Sequence, residues 1–253
     1  MKNRNILRRV CVGAVILCTA LSLAACGESA AETAATPEPT AAPTAAPTPT
    51  PEPLPELDIG SWEFTVANSY NSLFEYAPPY GGIEGQGIDQ RAQDAVYAFV
   101  NAARAAGYEL YISVAFRNWE YLENHYGSVV RSTGSAEAAA AVFLPPGCSD
   151  HQTGLAIDFT DDVYYRNCYQ EFEDDAFKET EAYAWLTEHC AEYGFILRYP
   201  EGKEEYYGTA CNHAHFRYVG LEAAQYITEH GLCLEEFLLL YDPEAVFVPA
   251  LEN

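Results

Sequence analysis

The chain has 253 residues, 49% of them hydrophobic, with 13 basic residues against 37 acidic ones and a formal charge of −24. Such a length and composition suit one packed domain with appendages. The charge has the wrong sign for a nucleic-acid partner or for electrostatic adhesion to anionic lipid.

The first element is a targeting segment. Lys2, Arg4, Arg8 and Arg9 precede the apolar run "VCVGAVILCTALSL", which is too short and too near the terminus for a spanning helix. Leu23, Ala24 and Ala25 before Cys26 match a bacterial lipobox, in which the cysteine is acylated after cleavage. Residues 1–25 are therefore expected to be a lipoprotein signal peptide; an ordinary secretory signal cleaved nearby is the alternative. Removal of 1–25 leaves nine basic residues against 37 acidic ones, a charge of −28. Attachment to the membrane would rest on the lipid anchor at Cys26 alone, on the extracellular face of a bacterial cell.

Residues 26–57 carry eight prolines between Pro37 and Pro55 and no apolar periodicity. They read as an extended, semi-rigid linker rising about 3.1 Å per residue where it is polyproline-like.

The folded domain is expected over 58–253, without internal repeats. Asp89 could cap a helix in which Ala92, Val96, Phe99, Val100 and Ala103 recur at helical spacing. "ELYISVAF" alternates as a strand. Helices are expected from Asn118 and over "SAEAAAAVF". "GLAIDF" reads as a short buried strand. "TEAYAWLTEHCAEYG" is helical, with Ala182, Trp185, Leu186 and Cys190 on one face. "FILRY" and "HFRYV" are strands, and "LEAAQYITEHG" and "LEEFLLLY" are closing helices. The order lacks a regular βαβ alternation. It predicts an α+β fold, a small and largely antiparallel sheet flanked by helices. The acidic run "EFEDDAFKETE" reads as a solvated face or loop. His125, His189 and His230 have no constellation around them, and Trp119, Trp185 and Tyr193 read as core or rim.

Of eight cysteines, Cys11 and Cys18 leave with the signal and Cys26 is the anchor. Cys148, Cys168, Cys190, Cys211 and Cys233 remain, an odd number in a compartment that permits disulfides.

The chemistry begins at "SDHQTGLAIDF". His151 and Asp158 stand seven residues apart, with Gly154 between them for a turn. Alone, this pair fits a solvated loop and a capping aspartate better than a metal site, which needs a third ligand. The motif, together with "WLTEHCAEYGFILRYPEGKEE", "HFRYVG" and "LEEFL", resembles the VanY-type D-alanyl-D-alanine carboxypeptidases from about residue 73 to 240. Ser149, His151, Gly154, Ala156 and Asp158 fill every fixed position of Ser-x-His-x-x-Gly-x-Ala-x-Asp. The resemblance implies Zn2+ in a central cleft, held by His151, Asp158 and His215. It implies that Arg117, in "VAFRN", binds substrate and steadies an oxyanion; an Arg in a surface salt bridge is the bland alternative. Ser149 would be a second substrate contact, or simply a turn serine. The partner would be a peptidoglycan stem peptide, the protein a monomer, and the reaction release of the C-terminal D-alanine. Two alternatives are a catalytically impaired peptide-binding lipoprotein and a peptidoglycan endopeptidase.

Departures from the family's pattern bear on this, two of them in its Glu-Pro-Trp-His-Phe-Arg-Tyr-Val-Gly segment. Asn212 occupies the glutamate's position, and a neutral amide cannot accept a proton. His213 lies two residues before His215, so in an extended strand both would share a face, as would Arg217. His213 is thus expected to be the catalytic base, with a further metal ligand, a supporting residue or a bystander as alternatives; the His-x-His pair also resembles lysostaphin-type endopeptidases. Finally, Cys148 and Cys211 replace the usual threonine and tyrosine close to the ligands. A Cys148–Cys211 disulfide is expected, with other pairings or a thiolate ligand left open.

Overall fold

Two sheets organise the chain, for which the computed structural model describes residues 53–161, 175–247 and 249. The signal peptide and most of the linker, with Cys26, lie outside those residues, as does Cys168. The first sheet is a hairpin of β1 (Tyr80–Ile83) and β2 (Gln86–Asp89). Its two-residue turn places Glu84 and Gly85 at φ 48° and 84°, the left-handed pair that matches the twist of a tight hairpin.

Helix α1 (Gln93–Ala105) buries Val96, Phe99, Val100 and Ala103, the predicted face. Asp89 does not cap it. Asp89 ends β2, and its carboxylate accepts from the Arg91 backbone N–H and guanidinium at 2.9 Å each. Strand β3 (Leu110–Val114) follows, then α2 (Trp119–Thr133) and α3 (Ala136–Ala140). Asn118 and Ser135 cap these two helices by accepting from Tyr121 N–H at 2.8 Å and Ala138 N–H at 3.1 Å. Strand β4 (Ala156–Asp161) precedes the short α4 (Asp175–Lys178), and α5 (Glu181–His189) buries Ala182 and Leu186. Within the acidic run, α4 departs from the expected solvated segment: its Phe177 is buried in the core. The remaining elements are β5 (Phe195–Tyr199), α6 (Glu204–Tyr207), β6 (Asn212–Tyr218), α7 (Leu221–Glu229) and α8 (Leu234–Tyr241). Among the described residues no helix is long and apolar enough to cross a membrane.

The second sheet has strand order β3-β4-β6-β5, every neighbouring pair antiparallel. The expected α+β class, a small antiparallel sheet between helices, is what the chain forms. Alternation along the strands sends Phe159, Phe195 and Phe216 to one face, where their rings meet Phe99 of α1 at 5.4, 5.1 and 5.9 Å. Truncating a buried phenylalanine like Phe99 costs about 3–5 kcal/mol. The opposite face packs Ile196 against Ala223, Ile227, Leu234 and Phe237 of α7 and α8. The middle strands β4 and β6 are buried along nearly their whole length, and these two carry the site.

Candidate metal centre

Asp158 on β4 and His215 on β6 are direct cross-strand partners. Opposed residues in an antiparallel pair hold their Cβ atoms about 4.5–5.5 Å apart, so register alone brings these two side chains together. His151 arrives from a 3-10 turn, Asp150–Thr153, that leads into β4. Gly154 ends that turn at φ 73°, and a Cβ there would stand 2.8 Å from Pro78 Cγ. Only glycine fits both the conformation and the space.

His151 Nε2 lies 3.2 Å from Asp158 Oδ2, and His215 Nδ1 lies 2.8 Å from Asp158 Oδ1. One donor atom from each residue sits within 4.8 Å of the other two. All three side chains are buried, yet His151 Nδ1 and Asp158 Oδ1 have no hydrogen-bond partner among the described residues. The short His215–Asp158 approach is therefore an ion-pair contact without hydrogen-bond alignment. Two imidazoles and a carboxylate converging with unmet polar atoms fit a tetrahedral zinc site with its fourth position open.

Burial alone would raise the Asp158 carboxyl, but His151 and His215 outweigh it and hold the group well below the usual range. Burial likewise opposes charge on His215, but Asp158 and Asp150 prevail and push its imidazole up to about 9. For His151 burial wins, and its pKa falls.

A buried polar network stands behind the ligands. Asp150 Oδ2 lies 3.3 Å from His215 Nε2, and Arg217 Nη1 donates to Asp150 Oδ1. Arg217 shares the His215 side of β6, as expected, and its Nη2 also donates to the carbonyls of Glu63 and Thr65 at 2.8 and 2.7 Å. Arg198 Nε is 3.7 Å from Asp150 Oδ2. The Arg198 guanidinium clasps Glu235 at 2.8 and 2.5 Å, and Asn68 Nδ2 donates to the same carboxylate at 2.7 Å. Removing one member of a buried pair of this kind costs about 3–5 kcal/mol, because its partner is left charged and dry.

The triad opens onto a cavity of about 600 Å³. Arg117, Ser149, Asn212 and Cys211 line it, with residues 140–144 and Tyr199. The structure therefore brings His151, Asp158, His215, Arg117 and Ser149 to one place. Arg117 follows β3, and its backbone N–H donates to the His151 carbonyl at 3.1 Å. Its guanidinium lies over the Tyr121 ring, 5.3 Å from the centroid. It has no carboxylate partner among the described residues, contrary to the surface salt-bridge reading.

His213 is not brought to the cavity. Between β5 and β6, Leu197 pairs with Phe216 but Tyr199 pairs with Asn212, so β6 uses two extra residues over that interval. Asn212 Oδ1 accepts from the Ala214 N–H at 2.9 Å, a local turn contact that breaks the ladder. The expected i, i+2 alternation fails across this bulge. His213 Nε2 instead lies 3.1 Å from Glu201 Oε1, and its ring meets Tyr183 edge-on at 5.6 Å. Asn212, not His213, faces the cavity.

No disulfide joins Cys148 to Cys211. Cys148 is buried with its thiol beside Ser72, whereas Cys211 groups with Glu201 and His213. The chain geometry thus directs the two sulfurs to different neighbours.

Sequence reasoning missed Asp150, Tyr199 and His125. Asp150 adjoins the His151 motif, but nothing in the pattern says which way it points. The Tyr199 ring packs 4.8 Å from His215, with its hydroxyl buried. His125 has no constellation around it in the sequence, yet α2 carries it into the cavity wall, where its ring packs 4.5 Å from Phe143.

Residues 85–221 match a family model described as VanY, D-alanyl-D-alanine carboxypeptidase. A D-alanyl-D-alanine carboxypeptidase of Enterococcus faecalis is 34% identical over 195 residues, 72% of this chain and 67% of that protein. The chain spans 55% and 58% of the next two curated relatives. Among solved structures, the LD-carboxypeptidase LdcB shares 30% identity at a TM-score of 0.60, covering 73% of this chain and 87% of that one. A VanY D,D-pentapeptidase variant in complex with Zn(II) shares 31% identity at a TM-score of 0.58, covering 70% and 99%.

Proposed function

Because the chain belongs to the VanY family of D-alanyl-D-alanine carboxypeptidases, we propose that it is a zinc peptidase that releases the C-terminal D-alanine of peptidoglycan stem peptides. The observation that carries this reading is the buried His151–Asp158–His215 donor set at the base of an open cavity. A zinc ion held there would supply Lewis-acid chemistry, polarising the scissile carbonyl and acidifying water.

The chain's own residues do the rest. Arg117 presents an uncommitted guanidinium to the cavity, suited to a terminal carboxylate or a developing oxyanion. Ser149 lines the same cavity and offers a hydroxyl. Burial pushes the Tyr199 phenol up, so its hydroxyl stays protonated and is a donor. Asn212 cannot take a proton, and its amide oxygen is already engaged by Ala214. Outside the ligand set, His125 is the imidazole among the described cavity-lining residues. It is our candidate for the group that accepts the proton of the attacking water and returns it to the leaving amine. The lipobox and the proline-rich linker support a lipoprotein tethered by Cys26 at the extracellular face.

Product analysis sets the scissile bond. The zinc-loaded protein is incubated in parallel with a stem pentapeptide ending in D-Ala-D-Ala, the corresponding tetrapeptide, and crosslinked muropeptides. D-alanine from the pentapeptide supports the reading. Turnover of the tetrapeptide or of the crosslinks alone replaces it with L,D-carboxypeptidase or endopeptidase activity, and binding without products replaces it with a non-catalytic module.

A further inference from the structure

The bulge that turns His213 away from the cavity delivers it to a different set of donors. Glu201, Cys211 and His213 each offer one ligand atom, and the three atoms lie within 4.8 Å of one another. We propose that these residues form a second metal site, distinct from the His151–Asp158–His215 centre and selective for a borderline-soft divalent cation, zinc foremost.

The donor set fits that ion. A thiolate, an imidazole and a carboxylate are all zinc ligands, with bonds of about 2.3, 2.0–2.1 and 2.0–2.2 Å, so donors sharing one tetrahedral ion sit roughly 3–4 Å apart. Of the three atoms, His213 Nε2 and Glu201 Oε1 already stand 3.1 Å apart, and none is more than 4.8 Å from another. The fourth position is left to water. The thiol releases its proton to solvent as the sulfur binds, so uptake rises with pH. His213 is buried and Cys211 half-buried, while Glu201 is exposed; the site is therefore open to solvent from the carboxylate side. His213 is preset by packing, held edge-on to Tyr183. Lys178 is the competitor: its ammonium lies 3.1 Å from Glu201 Oε1, the oxygen that also meets His213.

This site accounts for two otherwise unexplained departures from the resembled motif. Cys211 and His213 stand where tyrosine and proline stand there, and both side chains go to the same point. The inference does not rest on the peptidase reading, because it concerns metal content and not turnover.

The test uses the full mature chain in detergent, stripped of metal and loaded with Co(II) or Zn(II). Native mass spectrometry should count two metals per chain. Cobalt loading should give the near-ultraviolet thiolate-to-cobalt absorption, which a His/Asp/His centre cannot produce. Cys211→Ser should lose that band and hold one metal, and His213→Ala should weaken the second metal at least tenfold. Asp158→Asn should also hold one metal but keep the band, a control that does not disturb the proposed site. Lys178→Ala should tighten the second metal. One metal in the unaltered chain, no thiolate band, or a band that survives Cys211→Ser would overturn the proposal.

Discussion

Asp150 and His215 meet with Oδ2 3.3 Å from Nε2, and Arg217 donates to the other Asp150 oxygen. This contact engages the far nitrogen of the imidazole and leaves Nδ1 facing Asp158. A carboxylate behind a ligating histidine fixes its tautomer and its ring orientation, and losing such a partner typically costs about 10–100-fold in metal affinity. Asp150→Asn should weaken zinc by that factor in a chelator competition while the domain stays folded. Unchanged affinity would mean that packing against Tyr199 orients His215 without Asp150.

Arg117 should act on substrate and not on the metal. Its guanidinium lines the cavity, and it touches His151 only through the backbone. Removing one donor from an oxyanion site lowers rate by about 10²–10³-fold. Arg117→Ala should lose that much in kcat/KM with zinc stoichiometry intact, and Arg117→Lys should recover only part, because an ammonium lacks the planar fork. Loss of zinc in either variant would assign Arg117 a structural role instead.

Two histidines outside the triad, His125 and His213, should separate by kinetics. His213 faces Glu201 and Tyr183, away from the cavity. His213→Ala should therefore lose far less than the about 10²–10⁴-fold typical of a missing general base, and His125→Ala should lose a factor in that range. The reverse pattern would restore the base to His213.

The cysteines should differ in reactivity. Burial pushes the Cys190 and Cys233 thiols up to about 12 each, so their thiolate fraction grows only as pH climbs towards that value. Thiolate is the reacting form. At pH 8 both should resist alkylation in the folded protein, while the half-buried Cys211 is modified first and is protected by zinc. Peptide mapping by mass spectrometry reads this directly; early labelling of Cys190 or Cys233 would contradict the packing.

Much of this was legible from local pattern. Helical spacing marked the buried face of α1, the helices from Asn118 and over "SAEAAAAVF" begin where the sequence places them, and the Ser-x-His-x-x-Gly-x-Ala-x-Asp motif singled out residues that the cross-strand register then brought together. What local pattern could not give is what the tertiary structure sets. The bulge in β6 reverses His213, and alternation cannot foresee a bulge. The Cys148–Cys211 pairing assumed that sequence proximity to two neighbouring ligands carries over to the sulfurs, and side-chain direction decided otherwise. Asp150, Tyr199 and His125 belong to the site only because distant segments fold against it. The Glu84-Gly85 hairpin turn lacks the Asn-Gly or Asp-Gly signal that marks such turns most clearly.

The most direct test of the central claim is the metal dependence of D-alanine release. The metal-free protein, given a stem pentapeptide, should release none. One equivalent of zinc at the His151–Asp158–His215 site should restore release of a single D-alanine per peptide, and Asp158→Asn should remain inactive at the same zinc concentration. An intact pentapeptide in the presence of protein shown to hold zinc at that site, or equal release by Asp158→Asn, would contradict the account.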